Sequence, residues 1–359
     1  MRGGPVNGIN GKPMNVLLTG GYGCIGSWIT RNLLAGGHRV WIYDLKEDPK
    51  RMRLIMDEAQ ILQVAFVQGD VTDLPRVKDA LAQHKITHIV HLAGLQVPVC
   101  RADPILGAKV NVLGTLAVFE AVRQLQGQIK RLVYTSSAAV FGPPEAYVAT
   151  EKSSIYDTEP IVAGMPAPSR RLADDVPLIP STQYGVFKCC NEGNARIYFQ
   201  DFGISSVGLR PWTVFGVGRD FGMTSEPTKA IKSLALNRPY HITYGGWQDM
   251  QYVDDVARIT VRCLDAPYQG AKSYNLRGHV VDLPTLHRAF VEVEPAAAKL
   301  ITFGTRQIAI AYDLDDRALQ RDLGPMPLTP LVEGVRQTLA MFRKLQAEGR
   351  LDTLDLDAK

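Results

Sequence analysis

Short apolar runs separated by segments of helical period set the plan of this chain. The runs at residues 16–18, 40–43, 64–67, 88–92 and 131–135 have strand length, and the stretches between them repeat their apolar positions at helical spacing. Strands alternating with helices predict βαβ units and a parallel sheet. In an open sheet of this kind, ligands bind beyond the carboxyl ends of the strands. Here those ends read Thr19-Gly20, Asp44, Gly69-Asp70-Val71, Ala93-Gly94 and Ser136-Ser137. Residues 145–176 break the pattern with prolines and a mixed-charge patch, a length at which a loop is expected to be a lid or a subunit contact. A helix over 183–202, a strand over 206–210 and an amphipathic helix over 330–348 follow.

The first strand-to-helix turn carries the first chemistry. Thr19-Gly20-Gly21-Tyr22-Gly23-Cys24-Ile25-Gly26 contains two overlapping frames, G-x-G-x-x-G and G-x-x-G-x-x-G. Glycines are needed there because a pyrophosphate reaches the amides of a helix N-terminus only where side chains leave room. After Gly36-Gly37 stops the helix, a second apolar run ends in Asp44, about 20 residues on, where a carboxylate binds both ribose hydroxyls of NAD and repels the extra phosphate of NADP. The expected fold is therefore α/β: a Rossmann-type doubly wound parallel sheet with a smaller C-terminal α/β substrate-binding lobe. Residues 1–13 read as a loose extension, 14–205 as the NAD-binding domain, 206–350 mainly as the second lobe, returning in part to the first domain, and 351–359 as a tail.

Composition narrows the classes. With 359 residues, 46% of them hydrophobic, the chain can bury a large core. The net charge of +4 is dispersed, and its densest cluster, Lys50-Arg51-Met52-Arg53, sits beside acids, so no nucleic-acid surface is expected. Five cysteines without a C-x-x-C pair argue against a disulfide framework or a zinc site and fit a reducing cytoplasm. His88 and His91 flank a strand end without a third ligand, so no metal is expected. No apolar run approaches the ~20 residues needed to cross a bilayer, so no membrane partner is expected either.

Catalytic chemistry is carried by Ser137, Tyr184 and Lys188. Oxidising a secondary alcohol by hydride removal requires the hydroxyl proton to leave as well, hence a base. Tyrosine ionises near pH 10, but a lysine ammonium one helical turn away and a positive nicotinamide ring both favour its phenolate. Ser137, just past a strand end, can hold the same hydroxyl, and Lys188 can grip the nicotinamide ribose. Trp212 and Trp247 are each either core or pocket aromatics, and Cys189 and Cys190 read as packing residues.

Together these pieces resemble the extended short-chain dehydrogenase/reductase (NAD-dependent epimerase/dehydratase) family, from residue 14 to about 342. The carriers are T-G-G-x-G-x-I-G at 19–26, Asp44, Gly69-Asp70-Val71, His91-Leu92-Ala93-Gly94, Asn111-Val112-Leu113-Gly114-Thr115, Thr135-Ser136-Ser137, Tyr184-x-x-x-Lys188 and Leu209-Arg210-Pro211. The resemblance favours the G-x-x-G-x-x-G frame. It implies an NAD site built from Gly20, Gly23, Cys24, Ile25, Gly26, Asp44, Asp70, Val71, Ala93, Gly94, Asn111, Tyr184, Lys188 and Pro211. Asp70 and Val71 are implied at the adenine, and Asn111 as a support of the active-site helix. It also implies a homodimer through the helices beginning near Ala108 and Gln183.

The departures from the family concern the substrate. Dehydratases carry Asp-Glu after the catalytic hydroxyl residue, where this chain has Ala138 and Ala139, so dehydration is set aside. Nucleotide-sugar enzymes carry an asparagine and an arginine for the diphosphate where this chain has Thr213 and Gln248. A neutral glutamine makes no charge-assisted fork. The expected substrate is therefore a small polyhydroxylated molecule such as a free sugar or sugar acid, with Gln96, Ser137, Ala138, Thr213, Arg219 and Gln248 as candidate contacts. The expected activity is an NAD-dependent oxidation of a secondary alcohol. The alternatives are an NAD-dependent sugar epimerase and a dinucleotide-sensing regulator.

Overall fold

The computed structural model describes residues 13–147 and 171–357. Twelve strands occur among them: β1 (Asn15–Thr19), β2 (Arg39–Asp44), β3 (Val64–Gln68), β4 (His88–His91), β5 (Arg131–Thr135), β6 (Ser206–Arg210), β7 (Thr213–Phe215), β8 (Tyr240–Ile242), β9 (Trp247–Tyr252), β10 (Ala271–Asn275), β11 (His279–Asp282) and β12 (Ile301–Phe303). Seven of them form one parallel sheet in the order β10-β6-β5-β4-β1-β2-β3. β1 lies inside this sheet with β2 on one side and β4 on the other, so the strand order reverses there and the glycine turn after β1 opens at the switch point. The central strands are buried on both faces and accordingly read as unbroken apolar runs; in β1, Val16, Leu17 and Leu18 are all at most 1% exposed.

β6 and β10 extend this sheet from the C-terminal half of the chain, so the second half contributes to both layers. Its remaining strands form a three-stranded sheet, β11-β9-β7, and a parallel pair, β12-β8. The helix Gln183–Phe202 begins with Thr182 accepting a hydrogen bond from the Gly185 amide and ends at Gly203 in the left-handed region (φ 67°). The long helix Leu331–Ala347 near the end of the chain buries Val335, Leu339 and Phe342.

Two expectations need adjusting. The consecutive helical segments over Pro104–Gln124 are long and apolar enough to cross a membrane by length and composition, although no such run is expected from the sequence; half of that window is packed inside the protein. Within it, Lys109–Leu113 forms a π-helical turn. The widened turn frees the Asn111 carbonyl, which accepts from Thr115 Oγ1 (2.7 Å) and from Asn191 Nδ2 (2.8 Å). The expected lid or subunit contact at 145–176 falls mostly on residues outside those described. Its described ends are anchored: Tyr147 Oη donates to the Pro177 carbonyl (3.2 Å), and Asp174 Oδ1 accepts from the Asn275 amide (2.8 Å).

Candidate active site

A cleft of about 580 Å³ runs along the carboxyl ends of β1, β2, β4 and β5, a size typical of ligand sites. At its centre Gly23 caps the helix Cys24–Ala35, with no side-chain cap and no acid in the first turn. The helix amides therefore face the cleft unopposed, as an anion requires. Gly20 sits at φ 66°, and a Cβ there would come within 2.8 Å of the Ala93 backbone. A Cβ on Gly26 would meet the Gly21 carbonyl at 2.5 Å, so this glycine lets the helix pack on its own turn. Asp44 ends β2 on the cleft wall with Oδ1 accepting from the Leu45 amide (2.9 Å), and Asp70 and Val71 line the same end. These features fit an NAD molecule: amides for its pyrophosphate, a carboxylate for its ribose and an apolar slot for its adenine.

Ser137, Tyr184 and Lys188 meet at the other end. Ser137 follows β5 and accepts from the Ala139 amide (3.1 Å), which fixes its hydroxyl against the Ala138–Val140 turn. Tyr184 lines the same end of the cleft, with the Ser137 side chain close enough to favour its phenolate. Lys188 Nζ donates to the Thr135 carbonyl (2.6 Å) and lies 5.5 Å from the centre of the Tyr184 ring. The lysine is expected to lower the tyrosine pKa, and the structure assigns the causes differently. Burial raises the Tyr184 pKa, opposed by the neighbouring Ser137 side chain and then by the charge of Arg219. Lys188 is itself pushed down to about 8 by burial, because the interior disfavours the ammonium.

Other expected residues fall on either side of the wall. Gly20, Gly23, Cys24, Ile25, Gly26, Ala93, Gly94, Gln96, Ala138, Pro211 and Arg219 all line the cleft. Asn111 does not; it is 1% exposed and supports the wall from behind, its Oδ1 accepting from the Leu95 amide (2.6 Å). Because its backbone carbonyl also receives Asn191, it ties this loop to the helix that carries Tyr184. Thr213 and Gln248 are corrected as substrate contacts. Both are fully buried, and Thr213 Oγ1 donates to Gln248 Oε1 (3.0 Å) away from the cleft. The reason is strand alternation: Trp212 and Val214 point into the cleft, so Thr213 points the other way. Trp247 also misses it and stacks on Tyr312 (6.0 Å between ring centres), whereas Trp212 is on the wall, its amide donating to Gln251 Oε1 (3.0 Å).

Sequence reasoning misses Arg51, on the short helix after β2, and Asp220, Phe221, Met223 and Thr224, on the loop after β7, which line the cleft. The three glycines of 216–222 are the available signal, since Gly216, Gly218 and Gly222 all have positive φ. His91 is structural: its ring nitrogens lie between the hydroxyls of Thr19 (2.7 Å) and Thr115 (2.9 Å), and burial pushes its pKa down to about 3. All five cysteines are free, and Cys190 is exposed rather than packed.

A glycine turn at the switch point, a strand-end carboxylate and a serine, tyrosine and lysine around one pocket define a dinucleotide-dependent enzyme of Rossmann type. Comparison with known proteins gives the particular group. The chain belongs to the NAD dependent epimerase/dehydratase family, whose sequence pattern matches residues 16–276. A UDP-glucose 4-epimerase of Mycolicibacterium smegmatis is 29% identical over 339 residues, covering 92% of this chain and 99% of that protein. Among solved structures, the UDP-glucose 4-epimerase of Thermus thermophilus in complex with NAD superposes with a TM-score of 0.72 at 25% identity, over 92% of this chain and 99% of the other. A partial consensus L-threonine 3-dehydrogenase superposes with a TM-score of 0.75 at 21% identity, over 92% and 99% of the two chains, a likeness of fold. The protein is thus an NAD-dependent enzyme of this family.

Proposed function

We propose that the protein oxidises a secondary alcohol of a small polyhydroxylated molecule and releases NADH. The observation that carries this reading is the burial of Thr213 against Gln248: the positions expected to grip a nucleotide diphosphate are paired with each other and present no charge to the cleft. NAD, when bound, is the hydride acceptor. Tyr184, as phenolate, takes the hydroxyl proton while the carbon–oxygen bond becomes a carbonyl, and Ser137 holds that oxygen in line. Lys188, anchored on Thr135, keeps a cation beside the tyrosine and within reach of the ribose. Asp44 binds the adenosine ribose and selects NAD, and Asp70 and Val71 hold the adenine. The methyl groups of Ala138 and Ala139 beside Ser137 supply no second acid or base, which argues against a dehydratase route.

A second reading, sugar epimerisation through a transient ketone, is favoured by the UDP-glucose 4-epimerase of M. smegmatis at 29% identity. Both readings share the first proton and hydride transfer. They separate on whether NADH leaves the protein and on whether UDP-glucose is turned over. Productive binding of UDP-glucose would overturn the proposal.

We also propose a homodimer. Ile105, Leu106 and Leu113 on one helical stretch, and Val186 and Ile197 on the neighbouring helix Gln183–Phe202, expose large apolar side chains, Ile105 at 81%. An apolar strip shared by two adjacent helices matches a self-complementary interface. Light scattering is expected to give twice the chain mass for the native protein and a single chain for Leu113→Glu/Val186→Glu; a native monomer would contradict the assignment.

A further inference from the structure

The loop from Phe215 to Ser225 gives two neighbouring cleft residues of opposite charge different partners. Asp220 is engaged by Arg51, whose Nη2 and Nε reach its carboxylate at 2.7 and 3.0 Å, so its charge is satisfied. Arg219 lines the cleft without such a partner. There its Nη2 donates to Thr224 Oγ1 (3.2 Å), its buried Nε has no hydrogen-bond partner, and among the described residues no carboxylate pairs with it. A guanidinium on a cleft wall with no carboxylate partner is available to pair with an anion.

The placement is fixed from behind. The Val217 carbonyl accepts from Trp28 Nε1 (2.9 Å) on the helix after the glycine turn, and the Arg219 amide donates to the Gly216 carbonyl (3.1 Å). Gly222, at φ 99°, lies where Arg219 Nη2 and the Gln96 carboxamide converge: a Cβ there would be 3.4 Å from Nη2 and would collide with the Gln96 oxygen. The guanidinium is also near enough to Tyr184 for its charge to act on the phenol. The Arg219 guanidinium, the Thr224 hydroxyl and the Gln96 carboxamide therefore converge on the wall of the cleft that also holds Tyr184.

We infer that Arg219, with Gln96 and Thr224, receives a carboxylate of the substrate, so that the molecule oxidised is a hydroxy acid of the sugar-acid type rather than a neutral polyol. This inference rests on the reading of the protein as an NAD-dependent alcohol oxidant. The guanidinium fork matches a carboxylate bidentately, and its neighbours Thr224 and Gln96 are neutral donors and acceptors suited to the same group.

The test uses D-gluconate and D-glucitol, which differ at the terminal carboxylate, with Arg219→Met and Arg219→Lys. Calorimetric titration of the NAD-loaded protein is expected to show gluconate binding that Arg219→Met weakens about 10- to 100-fold and Arg219→Lys weakens less, with glucitol bound poorly by all three. NAD affinity, titrated separately, is expected to stay within about twofold, with an unchanged melting temperature showing that the variants fold. Equal binding of gluconate and glucitol, or an unchanged gluconate affinity in Arg219→Met, would overturn the inference. So would an NAD affinity lowered more than about tenfold, which would put Arg219 on the pyrophosphate. Turnover separates the two levels: NADH formed from glucitol independently of Arg219 leaves the oxidant reading standing and removes the carboxylate. Gluconate bound through Arg219 with no NADH from any alcohol does the reverse.

Discussion

Tyr184→Phe is expected to lower kcat by about 10²–10⁴-fold while leaving NAD affinity within about threefold of the native protein. The size follows from what the substitution removes. Phenylalanine keeps the ring beside the Lys188 ammonium, 5.5 Å from its centre, and keeps the ring's packing in the cleft. Only the hydroxyl is lost, and with it the group that faces Ser137 and accepts the substrate proton. Ser137 does not replace it, because its oxygen already accepts from the Ala139 amide, and a serine hydroxyl is far less acidic than a phenol. Single-turnover absorbance at 340 nm, with NAD binding followed by fluorescence, checks both halves. A kcat within about tenfold of native would remove Tyr184 as the base.

Arg210→Met is expected to be the most damaging substitution to stability, costing about 3–5 kcal/mol. Arg210 is 3% exposed and pairs with Glu192 at 2.6 Å, while its Nη1 reaches the Asp174 carbonyl (2.8 Å) and Asn275 Oδ1 (3.1 Å). It thus joins β6, the helix carrying Tyr184, the end of the 145–176 segment and β10. Methionine fills much of the volume but leaves Glu192 buried with Ser136 as its main partner. Loss of one member of a buried pair is worse than loss of both, so Arg210→Met/Glu192→Met is expected to recover a substantial part of the deficit. Urea denaturation of the two variants provides the check; a double variant no more stable than the single would show that the lost packing around Arg210, not the stranded charge, sets the cost.

The first half of the fold is legible in the sequence because parallel strands buried on both faces must be apolar throughout, and because a phosphate turn admits few residue types. The strand ends at Gly20, Asp44, Ala93 and Ser137 are readable for that reason, and all of them reach the cleft. The second layer is less legible. Thr213 and Gln248 fall at the family's diphosphate positions, but which face of β7 Thr213 occupies depends on the packing of Trp212 and Val214, which no local pattern records, and Gln248 on β9 is buried against it. Asn111 is expected both as a support of the active-site helix and as an NAD contact. The structure gives it the first role through a π-helical turn that frees its carbonyl. Arg219 is visible in the sequence only as one arginine after a glycine pair; its importance comes from Asp220 being engaged by Arg51, a partner 169 residues away in sequence.

The central claim, net oxidation with release of NADH, is tested most directly by following absorbance at 340 nm with excess NAD and a sugar-acid substrate. The expected result is NADH accumulating steadily to many equivalents per chain, with the oxidised product in equal amount. A signal that stops at or below one equivalent, with a stereoisomer of the substrate accumulating instead, would contradict it and establish the epimerase.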